Sequence, residues 1–172
     1  MKTTEVRRLE GLAANPSIEE ISERLDRVTE RLRIDTLNWK GYDYRPEVSV
    51  ALAYGDNEIY IKYYVKEDFF KAEMTETNQM VCEDSCVEFF VSPGDDGIYY
   101  NLEFNGIGTC LLGSGTGREN STRVDPAIVS RIRRISTAGS KPVEERKGEY
   151  SWSLTAAIPL DVFFRHKVGS LA

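Results

Sequence analysis

Carboxylate, amide and aromatic side chains alternate with apolar ones in two adjoining segments of this chain, Ser85–Val91 and Ile98–Asn105. Alternate residues of an extended strand point to the same side of a sheet. The alternation therefore predicts that Glu88 shares one polar face with Tyr99, Asn101, Glu103 and Asn105. Carboxylates and amides form hydrogen bonds with hydroxyl groups, and an aromatic ring packs against C–H groups. Such a face could bind a polyhydroxylated molecule.

The same residues have two other interpretations. A polar face is also what an antiparallel sheet commonly turns to solvent, without any further function. Glu88 and Glu103 could instead act as the carboxylate pair of a glycosidase, if they lie about 5–9 Å apart on neighbouring strands. Nucleophilic catalysis of the Ser-His-Asp or Cys-His kind would depend on His166, the one histidine. We therefore expect a protein that is not an enzyme, with a glycoside-active enzyme as an alternative.

Arg118 follows the glycine-rich run Gly113–Gly117, and its guanidinium could form paired hydrogen bonds with sugar hydroxyls or a carboxylate. The run lacks the Gly-Lys-Ser/Thr ending and the helix pattern of a phosphate-binding loop. A surface ion pair is the alternative role for this arginine.

Residues that bind metals are few in the sequence. The three cysteines, Cys82, Cys86 and Cys110, would need further ligands to hold zinc, and small buried thiols are the simpler interpretation. Asp95–Asp96 could bind calcium weakly in a structural role, although turn formation accounts for both residues. We therefore expect no cofactor, with structural calcium as the alternative.

Turns rich in glycine, proline and aspartate separate further segments with strand patterning. The other predicted strands are Val48–Tyr54, Glu58–Val65, Thr109–Leu112, Ala127–Thr137 and Tyr150–Ile158. Trp152 lies on the same side of its predicted strand as apolar residues, which predicts a place in the core. Short connections without crossover helices indicate an all-β, antiparallel β-sandwich.

One amphipathic helix is predicted before the strands, over about residues 17–33. Ser17 and Glu20 have the spacing of a capping box, and apolar residues follow at helical intervals. If that apolar stripe were exposed, the helix would be a surface for binding another protein. Residues 68–80 predict a loop with a helical turn, the glycine-rich run a flexible loop, and Asp161–Arg165 a short helix.

Several motifs together resemble the family 9 carbohydrate-binding modules, and most closely their stand-alone bacterial relatives. The motifs are Asn38-Trp39, Tyr44-Arg45-Pro46, Glu83–Phe90, Tyr99–Asn105, Gly106–Gly108, Tyr150–Trp152 and Ala157–Leu160. The resemblance extends over roughly residues 34–172. The run from Asp84 to Phe90 is its most specific part.

This resemblance implies a single jelly-roll-like domain over residues 1–172, with its sandwich over about 36–172. It also implies non-catalytic binding of a mono- or oligosaccharide on a polar and aromatic sheet face, in carbohydrate catabolism. Ligand in that family is held between aromatic rings, which makes Trp39 the first candidate ring; a lid over the core is its alternative role. The expected binding residues are Trp39, Glu88, Tyr99, Asn101, Glu103 and Arg118.

Two features depart from what the resemblance implies. The family's modules are usually attached to secreted glycan-degrading enzymes, whereas we find neither a catalytic segment nor an export signal in this sequence. Relatives continue through more strands beyond the position of Ala172, so we expect the last strands of the family to be missing here. Domains similar to this sandwich hold either sugars or haem, which leaves a haem-binding domain as an alternative. Its axial ligands would be Met74, Met80, His166 or a lysine.

Composition limits the range of partners. Hydrophobic residues make up 41% and charged residues 29%, as in a folded protein, and the net charge of −6 disfavours binding to nucleic acid. We find no apolar run long enough to span a membrane and no export signal. Three cysteines without such a signal predict reduced thiols in the cytoplasm, if Met1 is the native start. The oligomeric state is not predicted.

Overall fold

Two β-sheets pack face to face in the computed structural model, which describes residues 3–38, 40–41, 43–169 and 171. In chain order the strands are β1 (Arg7–Arg8), β2 (Leu32–Ile34), β3 (Glu47–Tyr54), β4 (Glu58–Ala72), β5 (Cys86–Val91), β6 (Tyr99–Asn105), β7 (Cys110–Gly115), β8 (Thr122–Arg123), β9 (Arg133–Ser136) and β10 (Val143–Pro159). The α-helices are α1 (Ile18–Asp26) and α2 (Pro126–Val129). The predicted all-β sandwich is confirmed.

The large sheet has six strands and the small sheet has four. In the large sheet the order is β1-β3-β4-β10-β9, and β2 pairs with β3 as well. The small sheet has the order β5-β6-β7-β8. Pairing between the described strands is antiparallel except for the two-residue contact of β1 with β3, which is parallel.

The core lies between the two sheets and follows the predicted alternation. Tyr100, Leu102 and Phe104 of β6 are fully buried. Tyr63 of β4 crosses the core, and its hydroxyl donates to the backbone carbonyl of Glu88 at 2.8 Å. Trp152 is 5% exposed, which confirms its predicted place in the core. Its Nε1 donates to Glu67 Oε1 at 2.6 Å, so the buried indole N–H has a partner.

Helix α1 begins where the capping box predicts, because the Ser17 hydroxyl accepts from the Glu20 amide at 3.1 Å. The predicted end near residue 33 is wrong, since the helix ends at Asp26. Leu32 instead pairs with Val50 in the large sheet. Strand pairing at this edge satisfies backbone groups that a longer helix would have held internally. No helix among the described residues is long and apolar enough to cross a membrane.

The apolar side of α1 covers the large sheet on the side that points away from the core. Ile21 and Leu25 are fully buried there and pack with Ala51, Ala53 and Tyr60. Small alanine side chains let the helix lie close to the strands. The stripe that would have served a protein-binding helix is therefore occupied by this chain's own sheet.

Three other local predictions are wrong. Strand β4 continues to Ala72, where a loop was expected, because Phe70 and Ala72 keep the alternation and are buried. Residues 126–137 form α2 and β9 rather than one strand: Pro126 opens the helix and the Asp125 carboxylate accepts from the Ala127 amide. The short helix expected after Pro159 is a 3-10 turn, Leu160–Val162.

The glycine-rich run predicted as a flexible loop is partly strand. Gly113 and Gly115 are buried in β7. A Cβ at Gly115 would lie 2.7 Å from the carbonyl carbon of Asn120, and one at Gly113 would lie 2.8 Å from Ser121 Oγ. The segment before β8 therefore lies against the bare backbone of β7, which only glycine allows at this distance.

Candidate functional site

The outer face of the small sheet, the side away from the core, carries most of the predicted binding residues. Glu88 on β5 pairs directly with Glu103 on β6, and Phe90 pairs with Asn101, without a register shift. We use "outer face" for the side chains that point outward on these strands: Cys86, Glu88, Phe90, Tyr99, Asn101, Glu103 and, from β8, Arg123. The alternation of buried and polar residues, which puts Leu102 and Phe104 inside, turns these groups outward.

Asn101 links the two carboxylates. Its Nδ2 donates to Glu103 Oε1 at 2.9 Å and lies 3.5 Å from Glu88 Oε2. Like charges directly opposite each other on neighbouring strands destabilise a sheet. The pairing of Glu88 with Glu103 is therefore not explained by stability alone.

Glu103 is the more buried carboxylate, with 9% of its surface exposed. Burial, and then the charge of Glu88, raise its pKa above the ordinary value, while Arg123 opposes the rise. Within the part of the chain that the structure describes, Glu103 Oε2 and Asn101 Oδ1 are buried without a hydrogen-bond partner. Buried polar atoms normally have partners, so these two acceptors lack donors, and a ligand would reach them only after a neighbouring side chain moves aside.

A pair of aromatic rings, one exposed and one half-buried, borders these acceptors. The Phe90 and Tyr99 rings have centroids 5.8 Å apart and are tilted by 42°. Phe90 is 58% exposed, a large exposed fraction for an aromatic side chain. It was not among the predicted binding residues, although its parity with Glu88 was the signal that could have identified it.

The loop between β4 and β5 lies beside the outer face. Its 3-10 turn, Val81–Glu83, packs against β5 and β6. The sulfur of Met80 accepts from Arg123 Nη2 at 3.0 Å, which holds the arginine at the edge of the face. Arg123 was also missed, because a two-residue strand leaves no periodic signal in the sequence.

Asn105 does not belong to the polar face, contrary to the alternation. It is fully buried, and its Nδ2 donates to Asp84 Oδ2 at 2.9 Å and to the Met74 carbonyl at 2.8 Å. These bonds hold the loop between β4 and β5 to the end of β6. Asn105 is therefore a structural residue.

Of the other two predicted binding residues, Arg118 and Trp39, the structure describes only Arg118. Arg118 is exposed at the start of the 3-10 turn Arg118–Asn120, in the connection that follows Gly115. Because Gly115 pairs with Tyr99, Arg118 lies near the Tyr99 end of the sheet. Trp39 lies outside the described residues.

Two residues considered as cofactor ligands are occupied by neighbours. The His166 ring is 3.1 Å from the Tyr100 hydroxyl through Nδ1 and 3.3 Å from Asp96 Oδ1 through Nε2. Asp96 also accepts from the Ile98 amide at 3.0 Å, so it closes the turn between β5 and β6. These contacts tie the segment after β10 to that turn.

The fold and the outer face define a β-sandwich that carries two carboxylates, an amide and two aromatic rings on one side of the small sheet. The model of a family described as "Carbohydrate-binding family 9" matches residues 20–172. The chain belongs to this family, as the resemblance in its motifs indicated.

A solved structure agrees with this assignment. A protein of Bacteroides uniformis ATCC 8492, named "a putative carbohydrate-binding protein", is 39% identical and superposes with a TM-score of 0.88. The match covers 96% of this chain and 76% of that one. A search of curated proteins gives no match.

Proposed function

We propose that this chain is a non-catalytic carbohydrate-binding module that holds a mono- or oligosaccharide on the outer face of the small sheet. The observation that carries the proposal is the pair of buried acceptors without partners among the described residues, Asn101 Oδ1 and Glu103 Oε2, beside the exposed Phe90 ring and the half-buried Tyr99 ring. Membership of a carbohydrate-binding family supports the class of ligand.

Sugar chemistry fits this combination of groups. Hydroxyl groups of a pyranose donate to the exposed Glu88 and, once its side chain turns aside, to Glu103 Oε2 and Asn101 Oδ1, which satisfies acceptors that are otherwise buried without donors. The C–H face of the same ring packs on Phe90 or Tyr99. The guanidinium of Arg123 supplies further donors at the edge of the outer face.

The arrangement of the two carboxylates supports binding rather than hydrolysis. A glycosidase places its acid and its nucleophile or base on either side of the bond that it cleaves. Here one oxygen of Glu88 and one of Glu103 lie within 4.8 Å of each other on one surface and share the Asn101 amide, which is closer than the separation of about 5–9 Å expected of a glycosidase pair. Both carboxylates then approach a ligand from the same side.

A glycan screen followed by titration calorimetry tests the proposal. The screen identifies a sugar, and Glu88→Gln then weakens its binding at least about tenfold, since a hydrogen bond to a charged group contributes about 1.5–3 kcal/mol. Phe90→Ala weakens binding about two- to tenfold, as expected for one lost ring contact. Both residues are exposed, so the melting temperature stays close to that of the wild type.

Glu145→Gln is the matched control, because Glu145 is an exposed glutamate on β10 of the other sheet. Its affinity should equal that of the wild type. The proposal would be overturned if no glycan in the screen bound the protein, or if Glu88→Gln and Phe90→Ala both bound the sugar with wild-type affinity.

A further inference from the structure

Three side chains of different chemistry meet at one end of the outer face. The Cys86 sulfur and one carboxylate oxygen each of Glu88 and Glu103 all lie within 4.8 Å of one another. We call these three residues the thiol–carboxylate cluster. They come from two strands, and the direct pairing of β5 with β6 brings them together.

The cluster has more acceptors than its surroundings satisfy. Glu103 is nine-tenths buried, and its Oε2 has no hydrogen-bond partner among the described residues. Asn101 supplies one amide group to both carboxylates. The positive charge of Arg123 only partly offsets the effect of burial and of Glu88 on the Glu103 carboxylate. The Arg123 guanidinium also donates to the sulfur of Met80. A bound cation would satisfy the free oxygen and balance the two facing charges.

One sulfur and two carboxylate oxygens form a mixed donor set. Calcium and magnesium take oxygen ligands, whereas zinc-type ions accept thiolate and carboxylate together. Bonds of about 2.0–2.3 Å place tetrahedral ligands roughly 3.3–3.7 Å apart, so distances of up to 4.8 Å between the three atoms must shorten by at most about 1.5 Å. Glu88 is exposed, and rotation of its side chain allows that movement.

We propose that Cys86, Glu88 and Glu103 bind one divalent transition-metal ion of the zinc type, with the fourth position open to water on the outer face. Binding breaks the S–H bond of Cys86, the proton leaves to solvent, and the thiolate forms the metal–sulfur bond. No oxidation or reduction takes place. All three residues lie on the outer face, and two of them, Glu88 and Glu103, are also proposed sugar contacts, but the metal site does not require a sugar.

Cobalt(II) is the probe, since a thiolate-to-cobalt charge-transfer band in the near ultraviolet reports the sulfur ligand directly. We expect the folded wild-type chain to bind one cobalt ion with this band, and zinc to displace it. Cys86→Ser should abolish the band. Glu103→Gln should weaken binding at least tenfold, and Glu88→Gln, at an exposed position, provides a second carboxylate variant that retains the fold.

Cys82→Ser is the matched control, because Cys82 is an exposed thiol in the neighbouring 3-10 turn. Its band and affinity should equal those of the wild type. Failure of the wild type to saturate at one ion, a band that persists in Cys86→Ser, or a band lost in Cys82→Ser would overturn the inference.

The sugar and the metal are tested apart. Cobalt binding is measured without sugar, and sugar binding is measured in the presence of a chelator. Metal binding without any sugar binding would overturn the proposed function alone. Sugar binding by a chain that binds no cobalt would overturn the metal site alone.

Discussion

Replacement of Asp84 by alanine is the most informative test of how the outer face is held in place. The Asp84 side chain is completely buried. Its Oδ1 accepts from the Glu73 amide at 3.0 Å, and its Oδ2 accepts from the Met74 amide at 2.9 Å and from Asn105 Nδ2 at 2.9 Å. This one carboxylate therefore joins the end of β4, the following loop and β6.

The expected loss is large because Asp84→Ala leaves three donors without their acceptor. A hydrogen bond to a charged group contributes about 1.5–3 kcal/mol, and a buried donor left unpaired adds a desolvation cost. Removal of the carboxylate also relieves its own burial cost, which reduces the sum. We expect the free energy of unfolding to fall by about 3–5 kcal/mol, out of a total of about 5–15 kcal/mol for a domain.

Urea denaturation followed by circular dichroism measures this loss. Asp95→Ala, in the exposed turn between β5 and β6, is the matched control and should change stability by less than about 0.5 kcal/mol. Asp84→Asn retains one acceptor oxygen, so its stability should lie between those of the wild type and the alanine variant. A loss below about 1 kcal/mol in Asp84→Ala, with an unchanged denaturant slope, would refute the reasoning.

Three further predictions concern the core and the strand beside the site. Trp152→Ala should lower the free energy of unfolding by about 3–5 kcal/mol in the same assay, and a loss under about 1 kcal/mol would contradict its core role. Burial raises the pKa of Glu67, so the folded state holds the proton more tightly and the wild type loses stability as pH rises through the carboxyl range. The free energy of unfolding of Glu67→Gln, taken relative to the wild type, should therefore be higher at about pH 7 than at about pH 4. The same difference between variant and wild type at both pH values would contradict this. Gly115→Ala should cost about 1–3 kcal/mol, because its Cβ would meet the Asn120 backbone, whereas Gly117→Ala, with nothing within 4 Å, should leave the melting temperature close to that of the wild type.

The strands could be predicted where burial alternates along the chain. Strand β6 is such a case: Tyr100, Leu102 and Phe104 are buried as their spacing predicts. The start of α1 could also be predicted, since the Ser17 cap depends on residues within one turn. Its end could not, because Leu32 takes a place beside β3 that only the assembled sheet provides.

The outer face could be predicted only in part, for a related reason. Glu88, Asn101 and Glu103 were identified by parity, and whether they bind a ligand stays a prediction. Asn105 has the same parity and is nevertheless buried, because Asp84 and the loop that it anchors cover that end of β6. Parity gives the side of the sheet to which a residue points, but not what covers that side.

The sequence by itself determined the class of fold, the main strands and the family, because all three depend on local patterns of side chains. Tertiary structure alone decided the contacts that matter for chemistry. Strand register places Glu88 opposite Glu103, and strand pairing brings Cys86 to both. The physical reason is range: alternation acts between neighbours in the chain, whereas burial, charge and free acceptors depend on segments that meet only after folding.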